Sequence, residues 1–251
     1  MIILKGLSDR KKLEESGRIV GVVLEYLQKE IKSGITTLYL DKLAQDIILT
    51  NGGTPAFKNY KGFPFCICAS KNEEAVHGFP DNTPLVDGDI ISIDTGVLKN
   101  EFFGDAAFTC AVGDINKSVN NLLTITKKCL YDSIKLCLKN NRLGDIGSLI
   151  QNEASKNNFS IITKYGGHGV GKVLHEAPHV PNYGYKGTGP LLKPGMVIAI
   201  EPILSMGKKD VEVDKDGWTV ATVDKSLTAH FEHTVMITEG DPIILTTCNN
   251  N

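Results

Sequence analysis

Two acids stand inside stretches that otherwise carry apolar side chains. Asp94 lies in Ser92-Ile93-Asp94-Thr95-Gly96 and Asp105, eleven residues on, in Gly104-Asp105-Ala106-Ala107-Phe108, and both stretches read as strands. With a tight turn centred on Lys99 and Asn100, Leu98 faces Glu101 and Asp94 falls directly opposite Asp105, their Cβ atoms roughly 5 Å apart. Like charges at that separation repel by about 3 kcal/mol at an effective dielectric of about 20, before any desolvation. A shared proton would relieve this. The chain, however, supplies two more acids in apolar surroundings, Glu201 in Ile198-Ala199-Ile200-Glu201-Pro202 and Glu232 in His230-Phe231-Glu232-His233-Thr234. Four carboxylates balance two divalent cations. The remaining ligand candidate is His168, in Tyr165-Gly166-Gly167-His168-Gly169-Val170-Gly171, where glycines let the backbone pass close to a site. Such an oxygen-rich set suits two ions of Mn, Fe, Co or Zn and differs from a sulfur-rich structural zinc site, so it reads as catalytic.

The elements that position these residues follow from pattern. Ser8 is expected to cap a helix running to about Lys32, with Gly34 ending it. Thr37 is expected to cap a second, whose apolar stripe is Leu40, Leu43, Ala44, Ile47 and Ile48 and which Gly52 and Gly53 stop. Strands are predicted over residues 65–69, 89–97 and 102–112; helices over 116–139 and 143–157; and strands again over 196–205, 218–222 and 229–238. Helices followed by strands thus occur twice. This predicts an α+β protein, one catalytic domain over 1–251 with pseudo-symmetric halves at about 8–112 and 116–238, in which helices cover a mixed, mostly antiparallel sheet.

Bulk properties narrow the partners. A chain of 251 residues, 41% hydrophobic and 22% charged, can bury a full core, and a net charge of -2 offers no basic stripe for DNA. Apolar runs are strand-length and the N-terminus shows no signal-peptide pattern, which predicts a cytoplasmic protein without membrane contact. The six cysteines form no CxxC pair and read as free thiols, Cys66 and Cys68 included. Asn249 to Asn251 form a polar tail.

Together with Asn72-Glu73-Glu74-Ala75-Val76-His77-Gly78, His175-Glu176, Pro178 and Asp216-Gly217-Trp218, the segments quoted above make the chain resemble the methionine aminopeptidases of the short bacterial type, members of the pita-bread metallopeptidase family. The likeness runs from about Gly17 to Thr238. It implies that Asp94, Asp105, His168, Glu201 and Glu232 bind two metal ions, with Asp105 and Glu232 bridging them. It implies that His77 and His175 contact substrate around the scissile peptide, and that Phe57, Tyr60, Phe63, Cys68, Leu174 and Trp218 line a pocket for the methionine side chain. The activity implied is removal of the initiator methionine from nascent proteins with a small second residue. Water or hydroxide held between the ions would attack the peptide carbonyl and Glu201 would act as general base. Nascent polypeptide N-termini are the implied partner, with the ribosome a candidate meeting place, and the family implies a monomer. Leu174 stands where the family usually has an aromatic residue, Phe57 where a smaller one is usual, and Val76 where cysteine is frequent.

Taken singly, each of these residues has a plainer reading: Asp94 or Asp105 as a turn or cap residue, His168 as a loop residue, His77, His175 and Trp218 as core or rim groups. His179, His230 and His233 are left structural, although His233 adjoins Glu232. Two other functions stay in play, an Xaa-Pro aminopeptidase or prolidase sharing fold and ions, and a protein of this fold that has lost activity and binds protein or RNA. The segments around His77 and Trp218 favour the methionine enzyme over the first, and the complete ligand set weighs against the second.

Overall fold

The computed structural model describes residues 1–248, so the tail Asn249 to Asn251 lies outside the described residues. Helix α1 (Leu7–Glu30) begins one residue before the expected cap, because the Asp9 carboxylate accepts the Gly6 N–H at 3.0 Å. Helix α2 (Thr37–Thr50) is capped by Thr36, whose hydroxyl accepts the Tyr39 N–H at 3.2 Å. Thr37, the expected cap, instead ties the helix start to Asp81, whose N–H its hydroxyl accepts at 2.8 Å. Helices α3 (Lys117–Ile134) and α4 (Leu143–Lys156) follow, the first capped by Asn116 through the Val119 N–H at 3.0 Å and ending five residues short of the predicted 139.

Before α3 run β1 (Thr54–Pro55), β2 (Ile67–Lys71), β3 (Glu74–Val76), β4 (Ile90–Lys99) and β5 (Phe102–Ala111). After α4 come β6 (Ser160–Ile161), β7 (Gly167–Gly169), β8 (Glu176–Val180), β9 (Val197–Ile200), β10 (Ile203–Ser205), β11 (Val211–Val213), β12 (Val220–Thr222), β13 (Thr228–His230), β14 (Glu232–Met236) and β15 (Ile243–Ile244). A nine-stranded sheet carries the order β1-β4-β5-β14-β9-β7-β8, with β2 on β4 and β15 on β14. The two halves meet where β5 pairs β14, and the pairings are antiparallel. Smaller sheets, β13-β10-β6 and β11-β12-β3, flank it among the described residues.

Alternation along the strands decides which residues face the helices. Ile91, Ile93, Val97 and Ala106 join Ile19, Val20, Val23 and Leu27 of α1 and Leu40, Ala44 and Ile48 of α2 in one buried cluster. Ile198, Ile200 and Val235 join Leu122, Cys129 and Leu130 of α3 and Ile146 and Ile150 of α4 in another. Residues of opposite parity, among them Asp94 and Asp105, are thereby directed away from the helices. The sheet is a wall with its packing on one side and its chemistry on the other.

Two expectations of register and continuity change. The β4–β5 turn is centred on Asn100 and Glu101, at φ 49° and 69°, so Asp94 pairs with Ala107 and Asp105 with Gly96. A two-residue hairpin loop of this twist needs left-handed backbone at both central positions, and Asn accepts it more readily than Lys99 would. Moving the turn by one residue moves every cross-strand partner by two and preserves the face, so the acids become diagonal neighbours. The strands predicted over 196–205 and 229–238 each split in two, β9 and β14 staying in the large sheet while β10 and β13 pair in a smaller one. Pro202 has no N–H to continue the ladder, and the chain changes sheet there and at Phe231.

Candidate metal centre

The sheet change gathers the acids. His233 pairs with Ile200 in the large sheet and Ile203 with His230 in the small one, so Glu201, His230 and Glu232 flank the point where both chains cross. Glu232 pairs with Ala107, which also faces Asp94, bringing the β4, β5 and β14 acids to one patch. Ligand-type atoms of Asp94, Asp105 and Glu232 lie within 4.8 Å of one another, as do those of Glu201, His230 and Glu232. His168 completes the patch from β7, its Nε2 3.6 Å from an Asp105 oxygen and 3.9 Å from a Glu232 oxygen. Its glycine neighbours are explained by crowding: a Cβ on Gly167 would stand 2.0 Å from the Ala199 carbonyl oxygen. All five residues expected to hold ions therefore converge.

The electrostatics suit bound cations. Asp105 and Glu232 are almost fully buried, and burial, then the neighbouring carboxylates, push both carboxyl groups well above their usual range. Burial, opposed by His230 and reinforced by Glu201, brings Asp94 to about 7. Oδ1 of Asp94, Oδ1 of Asp105 and Oε1 of Glu232 are buried without a hydrogen-bond partner. Orphaned carboxylate oxygens at such depth are destabilising by themselves, and the donor set of four carboxylates and an imidazole suits two divalent ions.

Glu201 differs from the other three acids. Burial acts to raise its carboxyl, but His230, followed by His168 and His77, holds it below the usual range. The His230 Nε2 lies 2.9 Å from the Glu201 carboxylate and is fully buried. Left structural at the outset, His230 belongs to the cluster. Its signal was available, since residues two apart on a strand share a face and His230 is two before Glu232. His233, immediately beside Glu232, points the other way, toward Tyr131 at 3.2 Å and Thr246 at 2.8 Å.

A cavity of about 430 Å³ opens over the acids and is lined by Phe57, Tyr60, Phe63, Cys68, Leu174 and Trp218, together with His77 and His175. Every residue expected to line the pocket is present. Phe57, Phe63, Cys68 and Leu174 form one buried apolar cluster, with Trp218 edge-on to Phe63 at 5.2 Å. Gly96 makes room for it, as a Cβ there would lie 2.7 Å from the Phe57 ring. His77, at φ 60°, follows β3 and meets Tyr165 edge-on at 5.5 Å. The His175 ring stacks on Tyr60, with Nδ1 3.1 Å from the hydroxyl, and lies 4.2 Å from the His168 ring. Partial desolvation against the cavity wall, then His168, depresses the exposed-edged His175 imidazole to about 4, which favours its neutral form at pH 7. Lys61, Lys164, Tyr165, Gly166 and His179 also line the cavity and had not been singled out as lining residues. The six cysteines are free thiols, and burial followed by the charges of Asp94 and Asp105 keeps Cys68 protonated.

Residues 11–239 match the model of metallopeptidase family M24, and the chain belongs to that family. It is 46% identical over 246 residues to methionine aminopeptidase 1 of Bacillus subtilis, covering 98% of this chain and 99% of the relative. The methionine aminopeptidase of Clostridium perfringens is 44% identical over 98% of this chain and 99% of its own. Within the family the chain falls with the methionine aminopeptidases. The Thermotoga maritima methionine aminopeptidase structure superposes with a TM-score of 0.97 at 42% identity, covering 98% of this chain and 100% of that one. The Pyrococcus furiosus prolidase shares the pita-bread-like fold, with a TM-score of 0.79 at 22% identity over 99% of this chain and 66% of that one.

Proposed function

We propose that this protein is a methionyl aminopeptidase that releases the first methionine from new polypeptides with a small second residue. Asp94, Asp105, His168, Glu201 and Glu232 would hold two divalent ions, drawn from Mn, Fe, Co or Zn. The observation that carries the reading is the convergence of four carboxylates and His168, three of their oxygens buried and unpartnered, beneath a cavity walled by apolar and aromatic side chains. When bound, the ions supply an activated water and a Lewis acid for the peptide carbonyl.

The chain's own groups do the remaining work. Glu201, kept ionised by His230, accepts a proton from the attacking water and passes it toward the leaving amine. His175, in the tautomer whose Nδ1 accepts the Tyr60 hydroxyl, would carry its proton on Nε2 and donate it in a hydrogen bond to the oxygen that gains charge. His77 hydrogen-bonds near the scissile nitrogen. Phe57, Phe63, Cys68, Leu174 and Trp218 offer dispersion and sulfur-aromatic contacts to the methionine side chain. Phe57 and Leu174, the two departures from the family pattern, share that apolar cluster, and a ring gained at one with a ring lost at the other conserves volume.

The domain assignment over 1–251 and a monomeric, cytoplasmic protein meeting nascent chains near the ribosome belong to the same reading. Among the described residues no helix is long and apolar enough to cross a membrane. The deciding experiment adds Mn, Fe, Co or Zn back to metal-stripped protein and measures methionine release from Met-Ala-Ser alongside cleavage of Xaa-Pro peptides. Release of methionine with at least one ion is expected. No release with any ion, or faster Xaa-Pro cleavage, would reject the proposal.

A further inference from the structure

Among the described residues, the cavity is lined by Lys61 and Lys164 and by no acid outside the buried acid cluster. Asp94, Asp105, Glu201 and Glu232 are the acids that line it, and all four belong to the cluster. The exposed lining residues are Lys61, Lys164, His175 and His179, which mark the mouth. Asp216, beside the Trp218 wall, is consumed by its own turn, where it accepts the Trp218 N–H at 2.8 Å, the Thr219 N–H at 2.9 Å and the Thr219 hydroxyl.

Both lysines are held in place. Lys61 has left-handed backbone at φ 51° and ψ 22°, between Asn59 at φ 68° and Gly62 at φ 94°. An L-residue in that region is uncommon, and the tight turn directs its ammonium over the Tyr60 ring at 5.3 Å, beside the Tyr60–His175 pair. Lys164, three residues after the end of β6, donates to the Val211 carbonyl at 3.2 Å. On the aminopeptidase reading the apolar wall takes the first side chain, and the peptide beyond the scissile bond would pass this mouth.

We propose that Lys61 and Lys164 form a subsite for carboxylate groups downstream of the scissile bond, making the enzyme prefer peptides acidic at the third or fourth residue. This rests on the aminopeptidase reading and adds a substrate class to it. An exposed ion pair is weak and screened by salt, so about a two- to five-fold effect per lysine is expected at low ionic strength.

The test compares kcat/KM for Met-Ala-Glu-Glu-Ser, Met-Ala-Ser-Ser-Ser and Met-Ala-Lys-Lys-Ser, all C-terminally amidated, at low and high salt. A fourth arm sets Met-Ala-Ser free acid against its amide, separating a side-chain carboxylate from a chain terminus. The wild-type protein should favour the Glu peptide over the Lys peptide several-fold at low salt, and the preference should shrink at high salt. The Lys61→Ala and Lys164→Ala proteins should each lose part of that ratio, and the Lys61→Glu/Lys164→Glu double variant should invert it. The ratio between peptides is independent of how much folded enzyme each preparation holds. A ratio near one in the wild-type protein, or one that survives double charge reversal, would overturn the subsite. Failure to release methionine from every peptide would instead refute the aminopeptidase reading and take the subsite with it.

Discussion

At the scale of residues, the site separates acids whose carboxyl groups are pushed up from one that a histidine holds down. Asp94, Asp105 and Glu232 are pushed up by burial and mutual repulsion, whereas Glu201 is held down by His230. His175 has a ligand-type atom within 4.8 Å of those of Asp105 and His168, so geometry alone would admit it as a ligand. The two roles predict different outcomes. As a hydrogen-bond donor to the reacting oxygen, His175→Ala lowers turnover roughly 10²- to 10³-fold while bound metal is retained. Turnover on Met-Ala-Ser measured with metal content decides, and loss of the metal would reassign the residue. His230→Ala should lower metal affinity or turnover about 10- to 100-fold, as expected for a group that orients a ligating carboxylate. A titration of metal into the variant that matches the wild-type curve, with normal turnover, would return His230 to a purely structural part.

At the scale of elements, the acids are placed by contacts between backbones. Helix α1 crosses β5 through a glycine pair: a Cβ on Gly104 would stand 2.8 Å from the Gly17 nitrogen and 2.9 Å from its Cα. Asp105 is the next residue. Gly104→Ala must therefore push the helix off the strand, and overpacking of this kind destabilises by about 1–3 kcal/mol. A denaturant midpoint unchanged from the wild type would show that the crossing tolerates a methyl group. The β4–β5 hairpin teaches the complementary lesson about legibility. That both acids share the face opposite the helices was readable from period-two alternation, which survives a shift of two residues. Their pairing was not, because it depends on which two residues take left-handed backbone, and Lys99-Asn100 and Asn100-Glu101 look alike without the twist of the flanking strands.

At the scale of the molecule, stability and metal binding are linked through buried carboxyl groups. A carboxyl whose folded pKa is raised contributes stability that is complete below its unfolded value and lost as pH rises through the folded one. For Asp94 that window runs from 3.8 to about 7. Metal-free protein should thus lose stability as pH rises across this range, and added Mn or Co should restore it. Asp105→Asn and Glu232→Gln should each make the metal-free protein more stable at neutral pH and abolish the gain from metal. Thermal midpoints of chelated and metal-loaded samples across pH test this, and a metal-free midpoint that rises with pH would contradict it. Read without coordinates, the chain already contained the five ion-binding candidates, the pocket residues, the two-half order of helices and strands and the α+β class. The pocket residues came through the resemblance to the methionine aminopeptidases, and the rest depend on residue type, spacing and local periodicity. The tertiary structure alone decided that Glu201 and Glu232 sit where strands change sheets, that His230 lies against Glu201, and that Lys61 and Lys164 line one cavity. Each of these is a contact between segments distant in the chain, set by sheet pairing and turn geometry, which no local pattern encodes.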